Sequence, residues 1–145
     1  TCYADAATGA SPVAMAQRLV RRLCKVCRAA YTPEAVELQY MQNVLQDLPA
    51  PYVKPDFTKI TLSRAPGCDA CGGIGYKGRI SIYEAFIIND EIERMILERP
   101  SEADIREAAK RQGMLTMQQD GLLKALENIT SVEEVMRATG ESKEE

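Results

Sequence analysis

Apolar residues recur at three- and four-residue steps over residues 12–23. Val13, Ala16, Leu19, Val20 and Leu23 share one side and Arg18, Arg21 and Arg22 take the other, so the stretch reads as an amphipathic helix that delivers Cys24 at its end. Thr32-Pro33-Glu34 reads as a second helix start, with threonine as N-cap and proline at the first helical position. Val36, Tyr40, Val44 and Leu48 follow at four-residue spacing until Pro49 and Pro51 stop the helix. From Lys59 the period drops to two: Ile60 and Leu62 alternate with Thr61 and Ser63 ahead of a Pro66-Gly67 turn. Residues 79–88 form the strongest strand signal in the chain. The two strands and the turn between them predict a small hairpin-like unit.

Beyond residue 88 the punctuation is helical. Asn89 caps a helix over 90–98 that Pro100 ends, and Ser101 with Asp104 forms a capping box for a helix that closes at Gly113. A helix over 116–128 buries Leu122, Leu123 and Leu126. Ser131 with Glu134 forms a second box, and Gly140 closes the last helix before a charged tail at 141–145, which is expected to be disordered. The fold class is therefore α+β, a β-hairpin unit with flanking helices and a helical C-terminal subdomain. Its expected divisions are an N-terminal segment 1–12, a cysteine-bearing subdomain 13–88, a helical subdomain 89–140 and the tail.

At 145 residues the chain has room for one core of modest burial per residue. No run approaches the length of about 20 apolar residues that a membrane span needs, so the chain reads as soluble. The formal net charge of −3 conceals an asymmetry. Residues 1–31 carry five basic and one acidic side chain, whereas residues 89–145 carry eight and fourteen. A basic start and an acidic end suit contacts between segments or between subunits better than a nucleic-acid surface, which normally makes a whole domain basic.

Chemistry concentrates in the cysteines. Cys24-Lys25-Val26-Cys27 and Cys68-Asp69-Ala70-Cys71 are two C-x2-C knuckles, and Gly72 and Gly73 supply the permissive backbone that a tight turn needs. Two such pairs can close a tetrahedral site around one zinc ion. The chain contains no histidine, so a site here is all-sulfur, without an open position for substrate, and structural rather than catalytic. A thioredoxin-like redox pair would need a βαβ pattern around one motif, and disulfides suit secreted chains, whereas no apolar leader-like stretch precedes these motifs. Cys2 stands apart and reads as an unpaired thiol without a role.

These motifs also carry a family resemblance. Ala16-Gln17-Arg18-Leu19-Val20-Arg21-Arg22-Leu23-Cys24-x-x-Cys27, then Gly67-Cys68-x-x-Cys71-x-x-x-Gly75-Tyr76-Lys77-Gly78-Arg79-x-x-Ile82-Tyr83-Glu84, resembles the C-terminal metal-binding region of the secretion ATPases of type II secretion and type IV pilus assembly. The resemblance covers about residues 13–140, and the long loop between the knuckles leans toward the pilus-extension branch. Residues 1–7 only faintly resemble the family's TLHTNDAA segment, with Tyr3 where its histidine would stand. The resemblance implies zinc on Cys24, Cys27, Cys68 and Cys71, with ATP and magnesium belonging to a longer parent protein. It further implies a hexamer on the cytoplasmic side of a bacterial inner membrane. The partners would be the ATPase core of the same protein, neighbouring subunits and an inner-membrane platform protein, with neither nucleic acid nor membrane insertion. Arg79 would lie near the nucleotide of that core. The chain itself has no G-x-x-x-x-G-K-[ST] phosphate loop and should be inactive alone.

Other readings stand beside these. Arg18, Arg21, Arg22, Lys25 and Arg28 suit a solvated helix face, a subunit contact or a phosphate grip, and Arg79 equally suits a strand arginine paired with Glu84 or Asp69. Cys68-x-x-Cys71-x-Gly73-x-Gly75 is also the unit that DnaJ-type co-chaperones repeat four times, here present once. A nucleic-acid zinc ribbon would need exposed aromatics among basic residues around the knuckles, where Asp69 stands instead.

Overall fold

In a computed structural model, residues 12–140 are described; Cys2, the residues 1–7 compared with the TLHTNDAA segment, and the tail 141–145 lie outside them. The chain forms a strand where a helix was expected. Strand β1 (Val13–Leu23) pairs antiparallel with β4 (Tyr76–Ile87), from Val13 opposite Ile87 to Arg21 opposite Arg79 and on to Leu23 opposite Tyr76. Two steps on β1 thus match three on β4 at the last pair, a bulge at which Gly78 takes φ +81°. The apolar spacing that suggested a helix arises because Val20 and Leu23, three apart, are both buried in different surroundings. Val20 lies on the face shared with Ile82, whereas Leu23 sits past the bulge, where its N–H donates to the Ile129 carbonyl at 2.9 Å. A β-branched and aromatic partner strand overrides the helix propensity of the Ala, Gln, Arg and Leu residues in β1.

The expected strand–knuckle–strand hairpin is also paired differently. Strand β3 (Leu62–Arg64) pairs with a short β2 (Ala29–Tyr31), in the register Ala29–Arg64, Ala30–Ser63 and Tyr31–Leu62, and not with β4. The chain therefore runs out through β1, the first knuckle and β2, and returns through β3, the second knuckle and β4. This out-and-back path sets the two knuckles face to face.

Helix α1 (Ala35–Leu45) starts later than Thr32-Pro33 suggested, with extended Glu34 as its N-cap and no side-chain cap bond. Val36 is exposed, and the stripe that α1 buries is Met41 and Leu45, with Tyr40, Val44 and Leu48 partly covered. Helices α2 (Asp90–Leu97), α3 (Glu102–Arg111), α4 (Met117–Leu126) and α5 (Val132–Thr139) form where expected, and α2, α3 and α5 start at the caps read from the sequence. The Asn89 side chain accepts from the Ile92 N–H at 3.1 Å, and the Ser101–Asp104 box is reciprocal. Thr116 with Gln119 makes a further box that the sequence reading passed over. At α5 only half a box forms: Ser131 Oγ accepts from the Glu134 N–H at 3.2 Å, while the Glu134 carboxylate turns elsewhere.

The core gathers Met41, Leu45, Leu62, Leu122, Ala125, Val132 and Val135. It draws on the insert between the knuckles as well as on α4 and α5, so it crosses the expected boundary at 88/89. The two helices approach closely at Gly121, where an added Cβ would lie 2.7 Å from Val135 Cγ1. Among the described residues, no helix is long and apolar enough to cross a membrane.

Candidate metal centre

The out-and-back path brings Cys24, Cys27, Cys68 and Cys71 together with all four sulfurs within 4.8 Å of one another. Sγ separations are 4.0 Å for Cys24–Cys68, 3.8 Å for Cys27–Cys71 and 3.7 Å for Cys68–Cys71. Zinc–thiolate bonds of about 2.3 Å in a regular tetrahedron require sulfur–sulfur edges of about 3.8 Å. The donor set therefore fits one zinc ion by distance and by chemistry. All four are free thiols, with Cys24 and Cys71 buried and Cys27 and Cys68 half-buried.

Local backbone shapes the second knuckle. Residues Asp69–Cys71 form one 3-10 turn, closed by Gly72 at φ +64°. The N–H groups of Cys68 and Gly75 donate to Cys71 Sγ at 3.2 and 3.1 Å. Two glycines make this packing possible: a Cβ on Gly67 would lie 2.2 Å from the Gly73 carbonyl oxygen, and one on Gly75 would lie 2.5 Å from Ala65. The thiols feel these surroundings unequally. Burial and the neighbouring Cys68 and Cys71 thiols push Cys27 up to about 12. Burial also works against ionisation of Cys71, yet its N–H donors outweigh it and bring the thiol down to about 6. Cys24 is lowered by the N–H groups of Val26 and Cys27. With four sulfurs the shell would be closed, so its chemistry is a crosslink and not a reaction.

The basic series lies on and beyond a strand, and Arg18, Arg21 and Arg28 each bond to the C-terminal part of the chain. Glu134, 1% exposed, accepts from the Arg21 backbone N–H at 3.0 Å and from Arg21 Nε and Nη2 at 3.0 and 2.7 Å. Arg137 adds Nε and Nη2 at 2.9 and 2.6 Å. Arg21 also lies 4.3 Å from the centroid of the Tyr76 ring, and the Tyr76 hydroxyl hydrogen-bonds Ser131 Oγ at 2.8 Å. Arg18 donates to the Ala138 carbonyl, and Arg28 donates to that of Asn128 at 2.9 Å. Arg22 and Lys25 are exposed without a partner among the described residues. The basic N-terminal part thus meets the helical C-terminal part within one chain. Sequence reasoning took Glu134 for a cap. The available signal was its place between Val132 and Val135, two core residues of the same short helix.

Arg79 sits exposed on β4 opposite Arg21, with no ion pair to Glu84, Asp69 or any other described residue.

The profile of the family described as Type II/IV secretion system protein matches residues 7–137. The type IV pilus assembly ATPase PilB of Thermus thermophilus is 38% identical over 125 residues, 86% of this chain and 13% of that protein. The type II secretion system protein HxcR of Pseudomonas aeruginosa is 38% identical over 125 residues, 86% of this chain and 21% of its own length. Type II secretion system protein E of the same organism is 37% identical over 127 residues, 88% of this chain and 23% of its own length. The chain thus spans less than a quarter of the length of these relatives, and pilus and secretion proteins match it at nearly the same identity. Matched across most of its length by the profile and by both kinds of relative, the chain belongs to the type II/IV secretion system protein family.

Proposed function

We propose that this chain is the C-terminal, zinc-stapled accessory domain of a hexameric ATPase that powers type IV pilus assembly or type II protein secretion, located at the cytoplasmic face of a bacterial inner membrane. The observation that carries the reading is the tetrahedral spacing of four sulfurs inside the region, residues 7–137, that matches the family. Cys24, Cys27, Cys68 and Cys71 would hold the ion, which supplies a closed structural crosslink when bound.

The chain's own residues make the crosslink mechanically useful. The sulfurs fix the ends of β1 and β4 to the insert, and the Glu134 clamp fixes β1 to α5. A displacement delivered to the β1/β4 ribbon would then reach the C-terminal helices undiminished, and through them neighbouring subunits and an inner-membrane platform protein. The metal-bearing part 13–88 and the helical part 89–140 would act through their shared core. ATP and magnesium belong to the core of the full-length protein, toward whose nucleotide the unpaired Arg79 is free to reach.

The test uses the full-length protein, its Cys68→Ser/Cys71→Ser variant and this chain alone. Expected are one zinc per chain and ATP hydrolysis by the hexameric wild type. The variant should lose zinc and with it pilus assembly or secretion, and this chain should bind zinc without hydrolysing ATP. A zinc-free wild type at full activity would overturn the staple, and a full-length protein without ATP hydrolysis would overturn the ATPase reading.

A further inference from the structure

The four sulfurs meet as two rungs. The first cysteine of one knuckle lies against the first of the other, Cys24 to Cys68 at 4.0 Å, and the second against the second, Cys27 to Cys71 at 3.8 Å. Each rung joins residues 44 apart in sequence and runs from one knuckle to the other. Closing either rung by about 2 Å brings its sulfurs to the bond length of a disulfide.

Access divides the sulfurs along the same lines. Each rung pairs a buried sulfur with a half-buried one, Cys24 with Cys68 and Cys71 with Cys27. The cluster lies near the surface, since Val26 and Ile74 in the two turns are both well exposed. A small oxidant therefore meets one sulfur of each rung, and the other stands behind it, ready to resolve the oxidised form. Oxidation that begins at Cys27 has Cys71 in contact across the knuckles, and once that rung closes Cys68 is left with Cys24. Cys68 and Cys71 also touch within their own knuckle, at 3.7 Å. A bond there would tie residues three apart and restrain only a turn, whereas each rung closes the whole excursion between the knuckles.

We propose that a peroxide converts the four cysteines into two disulfides between the knuckles, Cys24–Cys68 and Cys27–Cys71, which take over the crosslink as zinc leaves. The proposal rests on the zinc-stapled reading. In each rung the half-buried thiolate attacks one oxygen of hydrogen peroxide, breaking the O–O bond to give a sulfenic acid and a hydroxide ion. The buried thiolate then attacks that sulfur, forms the S–S bond and expels the second hydroxide. Over both rungs four thiolates lose four electrons, two peroxide molecules gain them, and one zinc ion and four hydroxide ions are released. The ends of β1 and β4 stay fixed to the insert with the metal gone.

The test treats the zinc-loaded full-length protein with a small molar excess of hydrogen peroxide, in a Cys2→Ser background that removes the thiol outside the cluster. Trypsin cuts after Arg22, Lys25 and Arg28, so it separates Cys24 from Cys27 and leaves Cys68 and Cys71 together on residues 65–77. Expected are release of the zinc and a product in which both short peptides are bonded to residues 65–77, with fragmentation assigning Cys24 to Cys68 and Cys27 to Cys71. Hydrogen exchange over residues 24–31 and 62–75 should stay within about threefold of the zinc-loaded rates, against a rise of about 100-fold after chelation. A thiol reductant with added zinc should restore the starting state. Bonds within a knuckle, or the opposite pairing between knuckles, would overturn the proposal. Thiols that stay reduced or run on to sulfinic acid would overturn it too, as would the right bonds with exchange as fast as in the chelated protein. Zinc content of the untreated protein is read first. A zinc-free wild type refutes the staple reading, whereas a wrong disulfide map on zinc-loaded protein refutes this inference alone.

Discussion

Glu134→Gln isolates the link between β1 and the C-terminal helices. Burial alone would raise the Glu134 carboxyl, but Arg137 and Arg21 outweigh it and hold the group at about 2, against an ordinary 4.5. That depression corresponds to about 3 kcal/mol at neutral pH. The two guanidinium side chains are 42% and 57% exposed, so water screens part of the attraction, and about 2 kcal/mol is the better figure. For a chain of 145 residues this lowers the melting temperature by about 6 °C. The pH dependence has a definite sign. The folded-state value lies below the unfolded one, so the contribution is complete above about pH 5 and is lost as pH falls through 4.5 toward 2. Thermal melts of wild type and variant, matched in zinc content at each pH, should differ most at neutral pH and converge across that window. A variant melting within about 1 °C of wild type at neutral pH, or a gap unchanged down to about pH 3, would refute the reasoning.

Stripping zinc with a chelator should loosen the knuckles and the strands they join, seen as rising hydrogen exchange over residues 24–31 and 62–75 and reversed by added zinc. Gly75→Ala places a methyl 2.5 Å from Ala65 at φ +75° and should cost about 3 kcal/mol or more in a denaturant titration. Gly73→Ala meets open space at φ +82° and should cost only about 1 kcal/mol, from backbone strain alone. Arg22→Glu should shift stability by no more than about 0.5 kcal/mol, whereas Arg21→Glu sets a second carboxylate beside buried Glu134 and should cost about 3 kcal/mol. Chemical denaturation of the two variants side by side checks the pair.

The local signals survived folding well. Asn89, Ser101 and Ser131 each accept a backbone N–H at the start of the helix that the sequence assigned to them, because a cap depends on residues only three apart. The knuckles were equally plain, since the turn after Cys68 is set by glycines next to it. The failures share one cause, which is distance along the chain. Residues 12–23 read as a helix because their strand partner lies more than fifty residues away and a bulge spoils the strict alternation that marks a strand. Strand β2 is three residues long and carries no signal of its own until β3 is laid beside it. Glu134 reads as a cap in the sequence because one of its two arginine donors, Arg21, is 113 residues distant.

Because both ends of the segment 28–67 meet at one cluster of sulfurs, that segment is a closed excursion whose length does not set the geometry of the ribbon. Its root packs into the core through Met41, Leu45 and Leu62, while Tyr52 and Val53 stand exposed at its tip. Lengthening such a tip costs little, about 0.6 kcal/mol for each doubling of a flexible loop. Residues 52–54 are therefore where added sequence, a tag or a reporter domain could be spliced in while β1, β4 and the four cysteines keep their places.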